Sequence, residues 1–129
     1  MTTTTSVSTA SAVAVIDDDP SVRRSLTNLF DSLGFFVTSF ASAEDFLASD
    51  VSTTGCVVLD HRLPGMSGLE LLERLLSVPS SMGVVMITAH ADQQVRRRAV
   101  ELGADAFFAK PFRSEDLVES VQRRLTPMA

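Results

Sequence analysis

Between residues 12 and 125 the chain alternates short apolar runs with stretches of helical periodicity. The first run, Ala12-Val13-Ala14-Val15-Ile16, is unbroken and rich in β-branched residues, which predicts a strand covered on both faces. Val22, Leu26, Leu29, Phe30 and Leu33 then recur at helical spacing. Asp19 is placed to cap that helix, Pro20 to fill its first turn and Gly34 to stop it. The cycle repeats four more times. Phe35 to Phe40 reads as a strand, and Ser42 caps a short helix with Ala43, Phe46 and Leu47 on its inner side. Cys56 to Leu59 is a strand ending at Asp60; a loop with Pro64, Gly65 and Gly68 leads to a helix faced by Leu69, Leu72, Leu75 and Leu76. Val84 to Ile87 is the fourth strand. The next helix, from about Asp92, carries Val95, Ala99 and Leu102 and stops at Gly103. Ala106 to Ala109 is the fifth strand, and the last helix carries Leu117, Val118, Val121 and Leu125.

Strand–helix alternation with short connections predicts an α/β domain: a parallel sheet, right-handed crossovers and helices on both faces. Five such units suit a flavodoxin-like doubly wound sheet of order 2-1-3-4-5, in which ligands sit beyond the carboxyl ends of the strands, where the winding reverses. That point lies between the first and third strands. Residues 12–125 form the predicted domain, with residues 1–11 as a Thr/Ser-rich flexible tail and 126–129 as a tail or the start of a linker.

The apolar runs end in polar groups of a particular kind. The first ends in Asp17-Asp18-Asp19, the third in Asp60, the fourth in Thr88 and the fifth in Lys110, while the second offers no comparable group. A parallel sheet puts these ends along one edge. Carboxylates crowded there repel one another, at about 4 kcal/mol per pair at 4 Å and an effective dielectric near 20. Either some protonate or a cation compensates: Lys110 can supply one charge, and a hard divalent ion such as Mg²⁺ can supply the rest. A carboxylate beside such charges is poorly placed for acid/base work but well placed to attack phosphorus.

The formal net charge of −5 argues against direct nucleic-acid binding, so Arg96-Arg97-Arg98 reads as a solvated helix face. No stretch approaches the roughly 20 apolar residues of a membrane span, and the N-terminus lacks a basic signal start. The lone Cys56, inside an apolar strand, reads as a small core residue and fits a reducing cytoplasm. His61 and His90 have no partners of metal-site type; His90 is placed to line the pocket mouth.

Val15-Ile16-Asp17-Asp18-Asp19, Leu59-Asp60-His61-Arg62-Leu63-Pro64-Gly65-Met66-Ser67-Gly68, Ile87-Thr88-Ala89 and Lys110-Pro111-Phe112 together resemble the motifs of bacterial response-regulator receiver domains. The match runs from about residue 13 to residue 125. Glu44-Asp45-Phe46-Leu47 and the Lys110-Pro111-Phe112 context resemble the FixJ-type receivers, which usually precede a helix-turn-helix output domain. The resemblance implies a phosphorelay function: Asp60 would accept a phosphoryl group from a sensor histidine kinase or a small phosphodonor. Asp18, Asp60 and the backbone carbonyl of Arg62 would ligate Mg²⁺, with Asp17 acting through coordinated water. Thr88 and Lys110 would grip the phosphoryl oxygens, Lys110 aimed by a cis bond to Pro111, the one bond type at which cis is expected. Phe107 would be the switch aromatic. The implied domain is a signalling module rather than an enzyme with an external substrate, with a phosphorylation-dependent homodimer through the fourth helix and fifth strand.

Three rival readings stand beside this one, and the third, a degenerate receiver serving only as an interaction module, is argued against by the intact acidic, Thr and Lys set. A haloacid-dehalogenase-type phosphatase would use Asp17 of Asp17-Asp18-Asp19 as nucleophile, but its late acidic pair and cap insertion are not visible. A flavin carrier shares the fold, yet there is no Ser/Thr-rich loop after the first strand and no Trp or Tyr to stack on a flavin.

Overall fold

Continuous apolar runs become the centre of a sheet because both of their faces can be covered. The structure, a computed structural model, describes residues 11–77, 82–89 and 92–125. Five strands, β1 (Ala12–Ile16), β2 (Phe36–Phe40), β3 (Cys56–Asp60), β4 (Gly83–Thr88) and β5 (Ala106–Ala109), form one sheet. They alternate with α1 (Pro20–Ser32), α2 (Ala43–Leu47), α3 (Gly68–Leu76), α4 (Gln93–Leu102) and α5 (Ser114–Gln122). Every neighbouring pair is parallel and the order is 2-1-3-4-5, as the alternation predicted.

β1, β3 and β4 are buried along their whole length, whereas edge strand β2 is half exposed. Alternate residues feed two cores. Ile16, Phe46, Leu59, Leu72 and Met86 pack on the face covered by α2, α3 and α4; Val15, Phe30, Val58, Ile87 and Leu117 pack beneath α1 and α5. Burying a Leu, Ile or Phe is worth about 1.5–3 kcal/mol, so these two clusters dominate the stabilisation.

Helix ends reflect local chemistry. Asp19 caps α1 by accepting from the Ser21 N–H, Ser42 caps α2, and Ser67 with Glu70 forms a reciprocal capping box on α3. Gly34 and Gly103 end their helices at positive φ, 92° and 103°.

The structure corrects several details of the periodicity reading. Leu71 is fully buried on α3 while Leu69 and Leu76 are only partly so, because two leucine pairs leave the helix face ambiguous by one residue. Helix α5 ends at Gln122, and Leu125 enters the core from beyond it. A 3-10 turn over Val51–Thr53, capped by Asp50, was not expected. Ser11, expected as the last tail residue, is buried at 3% exposure against the start of the sheet. The rest of the expected tails, and His90, lie outside the described residues.

Candidate functional site

Parallel strands deliver their carboxyl ends to one edge, and the polar groups at those ends meet there. The Lys110 ammonium donates to Asp17 Oδ2 at 2.8 Å and to Asp60 Oδ2 at 3.2 Å. Asp17 and Thr88 are fully buried and Asp60 is 5% exposed. One oxygen each from Asp17, Asp18 and Asp60 lies within 4.8 Å of the others. The Lys110–Pro111 peptide is cis, as expected from the sequence. The Lys110 N–H donates to the Thr88 carbonyl at 2.7 Å, tying the ends of β4 and β5 together.

Burial and then the neighbouring Asp17 carboxylate push the Asp60 carboxyl above its ordinary range; Lys110 and the Arg62 N–H, 3.1 Å from Asp60 Oδ1, offset part of this. Burial alone would lower Lys110, but the hydrogen bond and charge of Asp17, then those of Asp60, hold its ammonium above its ordinary value. Three carboxylates against one ammonium leave negative charge uncompensated. Hard oxygens at this spacing fit a divalent cation of the Mg²⁺ type.

Asp17 and Asp18 differ in freedom. Asp17 Oδ1 accepts from the Asp19 N–H at 2.9 Å and Oδ2 from Lys110, so both oxygens are engaged and the residue is sealed from solvent. That is a poor placement for the nucleophile of a phosphatase. Asp18 is exposed and makes no hydrogen bond or ion pair among the described residues. Arg62 is exposed, two residues beyond Asp60. His61 is half-buried; among the described residues its Nδ1 has no partner and it is not part of the carboxylate group.

Three neighbours of the site make contacts that the sequence did not show, although Glu44 and Gly68 stand in its motifs. Arg23 Nη1 donates to the Asp17 carbonyl at 2.6 Å. Its signal was a cation in the first turn of a helix, where the dipole disfavours one. Glu44 accepts from the Met66 N–H at 2.8 Å and holds the loop after β3, in which Gly65 has φ 74°. Gly68 fits against the main chain at the end of β3: a Cβ there would stand 2.4 Å from the Asp60 carbonyl oxygen.

Away from the pocket, Phe107 is buried on β5 with the Arg96 guanidinium carbon 5.4 Å from its ring centroid. Arg96, Arg97 and Arg98 are exposed, as the acidic composition implied. Cys56 is buried, and that burial pushes its thiol up to about 12. No helix among the described residues is long and apolar enough to cross a membrane.

Comparison with known proteins bears on the whole arrangement. A family profile described as the response regulator receiver domain matches residues 13–122. The chain is 44% identical over 118 residues to nodulation protein W of Bradyrhizobium diazoefficiens, covering 91% of this chain and 52% of that protein. It is 41% identical over 127 residues to the transcriptional regulatory protein FixJ of the same organism, covering 95% and 62%. The chain thus spans about half the length of the curated relatives it matches. Among solved structures, the response regulator StyR superposes with a TM-score of 0.80 at 43% identity, covering 88% of this chain and 58% of that one.

Proposed function

Because the chain belongs to the response-regulator receiver family of two-component signalling, we propose that Asp60 is its phosphoryl acceptor and that Lys110, Thr88 and Phe107 convert the modification into a conformational signal. The observation that carries this reading is Lys110 bridging Asp17 and Asp60 at 2.8 and 3.2 Å. A single ammonium there orients the acceptor and stands ready for a phosphoryl oxygen.

The donor is a sensor histidine kinase, whose phosphoimidazole gives up its phosphoryl group, or a small phosphodonor. An Asp60 oxygen attacks phosphorus, the bond from phosphorus to the imidazole nitrogen breaks, and the imidazole leaves carrying the electron pair. The product is an acyl phosphate. Asp18, Asp60 and the Arg62 carbonyl are the residues that would hold Mg²⁺, with Asp17 behind them through water. Bound there, the ion would neutralise charge on the transferring group. Lys110 can swing from Asp60 to the new phosphoryl oxygens while keeping Asp17 as its anchor. Thr88 offers a hydroxyl to the same oxygens.

Movement of Thr88 vacates space toward β5, which couples to Phe107 and the α4 surface. The remodelled α4–β5 face then pairs with a second copy, C2 symmetry being the commonest outcome. Resemblance to FixJ-type proteins supports control of a helix-turn-helix output region in the cytoplasm. The experiment is labelling with a small phosphodonor and Mg²⁺. The wild type should take up one acid- and base-labile phosphoryl group, and Asp60→Asn should take up none; equal labelling of both would remove the reading.

A further inference from the structure

We propose that Arg23 is a positioning residue for the cation-binding loop: by pinning the Asp17 carbonyl it sets the peptide plane that aims Asp18. The inference rests on reading the acidic pocket as a divalent-cation site.

Arg23 is the fourth residue of α1, and its Nη1 lies 2.6 Å from the Asp17 carbonyl oxygen. Asp17 is tied elsewhere as well. Its N–H donates to the Phe40 carbonyl at 3.1 Å, and its two carboxylate oxygens accept from Asp19 and Lys110. Those contacts fix the residue's amino end and side chain. Arg23 alone among them grips the carbonyl, which shares one rigid plane with the Asp18 nitrogen. Asp18, the exposed carboxylate of the group, makes no hydrogen bond or ion pair of its own among the described residues. Its direction is therefore inherited from the backbone on either side. The Asp19 N–H bond to Asp17 Oδ1 secures the far end of the loop, and Arg23 secures the near end.

The alternative role for Arg23 is a counter-charge to the aspartates, and the two roles predict opposite signs. A counter-charge repels an incoming cation, so its removal tightens Mg²⁺ binding. A positioning group organises the ligands, so its removal weakens binding, and partners just outside a metal's ligand shell typically contribute 10–100-fold.

The test is a calorimetric Mg²⁺ titration of the 129-residue chain at constant ionic strength, comparing wild type, Arg23→Met and Arg23→Lys, with metal-free melting curves alongside. Arg23→Met should bind Mg²⁺ about 10-fold more weakly, and Arg23→Lys should recover part of the loss because an ammonium can still reach one carbonyl. Binding by Arg23→Met as tight as wild type, or tighter, overturns the proposal while leaving the pocket reading intact. Absence of Mg²⁺ binding by wild type overturns both. Should Arg23→Met fail to fold, Arg23→Lys decides: it keeps the charge but loses the planar fork, so a few-fold weaker affinity supports positioning and an unchanged affinity overturns it.

Discussion

The guanidinium of Arg96 lies over the face of Phe107, its central carbon 5.4 Å from the ring centroid. The contact joins exposed α4 to the buried aromatic of β5, the two elements proposed to carry the switch. At an exposed site such a contact is worth about 0.5–1 kcal/mol, a bias of roughly 2–5-fold. Arg96→Ala should therefore lower the ratio of buried to outward-turned Phe107 by about that factor. Fluorine NMR of fluorophenylalanine-labelled protein reads the two populations directly. An unchanged ratio would show that the cation does not bias the ring.

Crowding at Asp60 makes a stability prediction with a definite sign. The Asp60 carboxyl titrates above its unfolded value, first through burial and then through Asp17. Ionising it therefore costs the folded state. Below the unfolded pKa of about 3.9 both states are protonated, and wild type keeps its full stability. That stability falls as pH rises from there through the folded pKa. Asp60→Asn should thus melt close to wild type near pH 3.5 and higher than wild type at pH 7. A gain of roughly 1 kcal/mol would raise Tm by about 4 °C. Added Mg²⁺ should narrow the gap, because the ion compensates the charge that the variant lacks. Thermal melts across this range would contradict the account if the gap closed toward neutral pH.

Gly68 should tolerate no side chain. A Cβ would stand 2.4 Å from the Asp60 carbonyl oxygen and 2.6 Å from the His61 Cα, both main-chain atoms at the end of β3. Gly68→Ala should cost about 1–3 kcal/mol, the usual range for overpacking. It should also slow phosphorylation, because relief of the clash displaces Asp60. Gly103→Ala is a useful contrast: its nearest neighbour would be the flexible end of Leu76 at 3.4 Å, although φ is 103°. It should lose stability with little change in phosphorylation rate.

Much of this architecture was legible because the central strands are buried on both faces and so read as continuous apolar runs. Asp17, Asp60 and Thr88 were legible for the same reason, each standing at the end of such a run, while Lys110 follows the shorter apolar run of the partly buried edge strand β5; parallel pairing puts these ends together. Edge strand β2 has no buried face of that kind, and its apolar pattern predicts a start at Phe35 where the strand begins at Phe36. Side chains that reach across the chain away from the strand ends were not legible. Glu44 meets Met66 across 22 positions, and Arg124 grips Asp105 through two hydrogen bonds of 2.7 and 2.9 Å across 19. Neither pair obeys a local period, since each depends on where helices land after folding. Arg23 was nearer to hand, but its significance emerges only once its hydrogen bond to Asp17 is seen.

The central claim, that Asp60 carries the phosphoryl group, is tested most directly by trapping the modified residue. Borohydride reduces an aspartyl phosphate to homoserine, which peptide mass spectrometry locates. After treatment with a small phosphodonor and Mg²⁺, the account predicts homoserine at position 60 alone, and none when Mg²⁺ is withheld. Homoserine at position 17 would instead support the phosphatase chemistry that the sealed placement of Asp17 argues against, and would contradict the account.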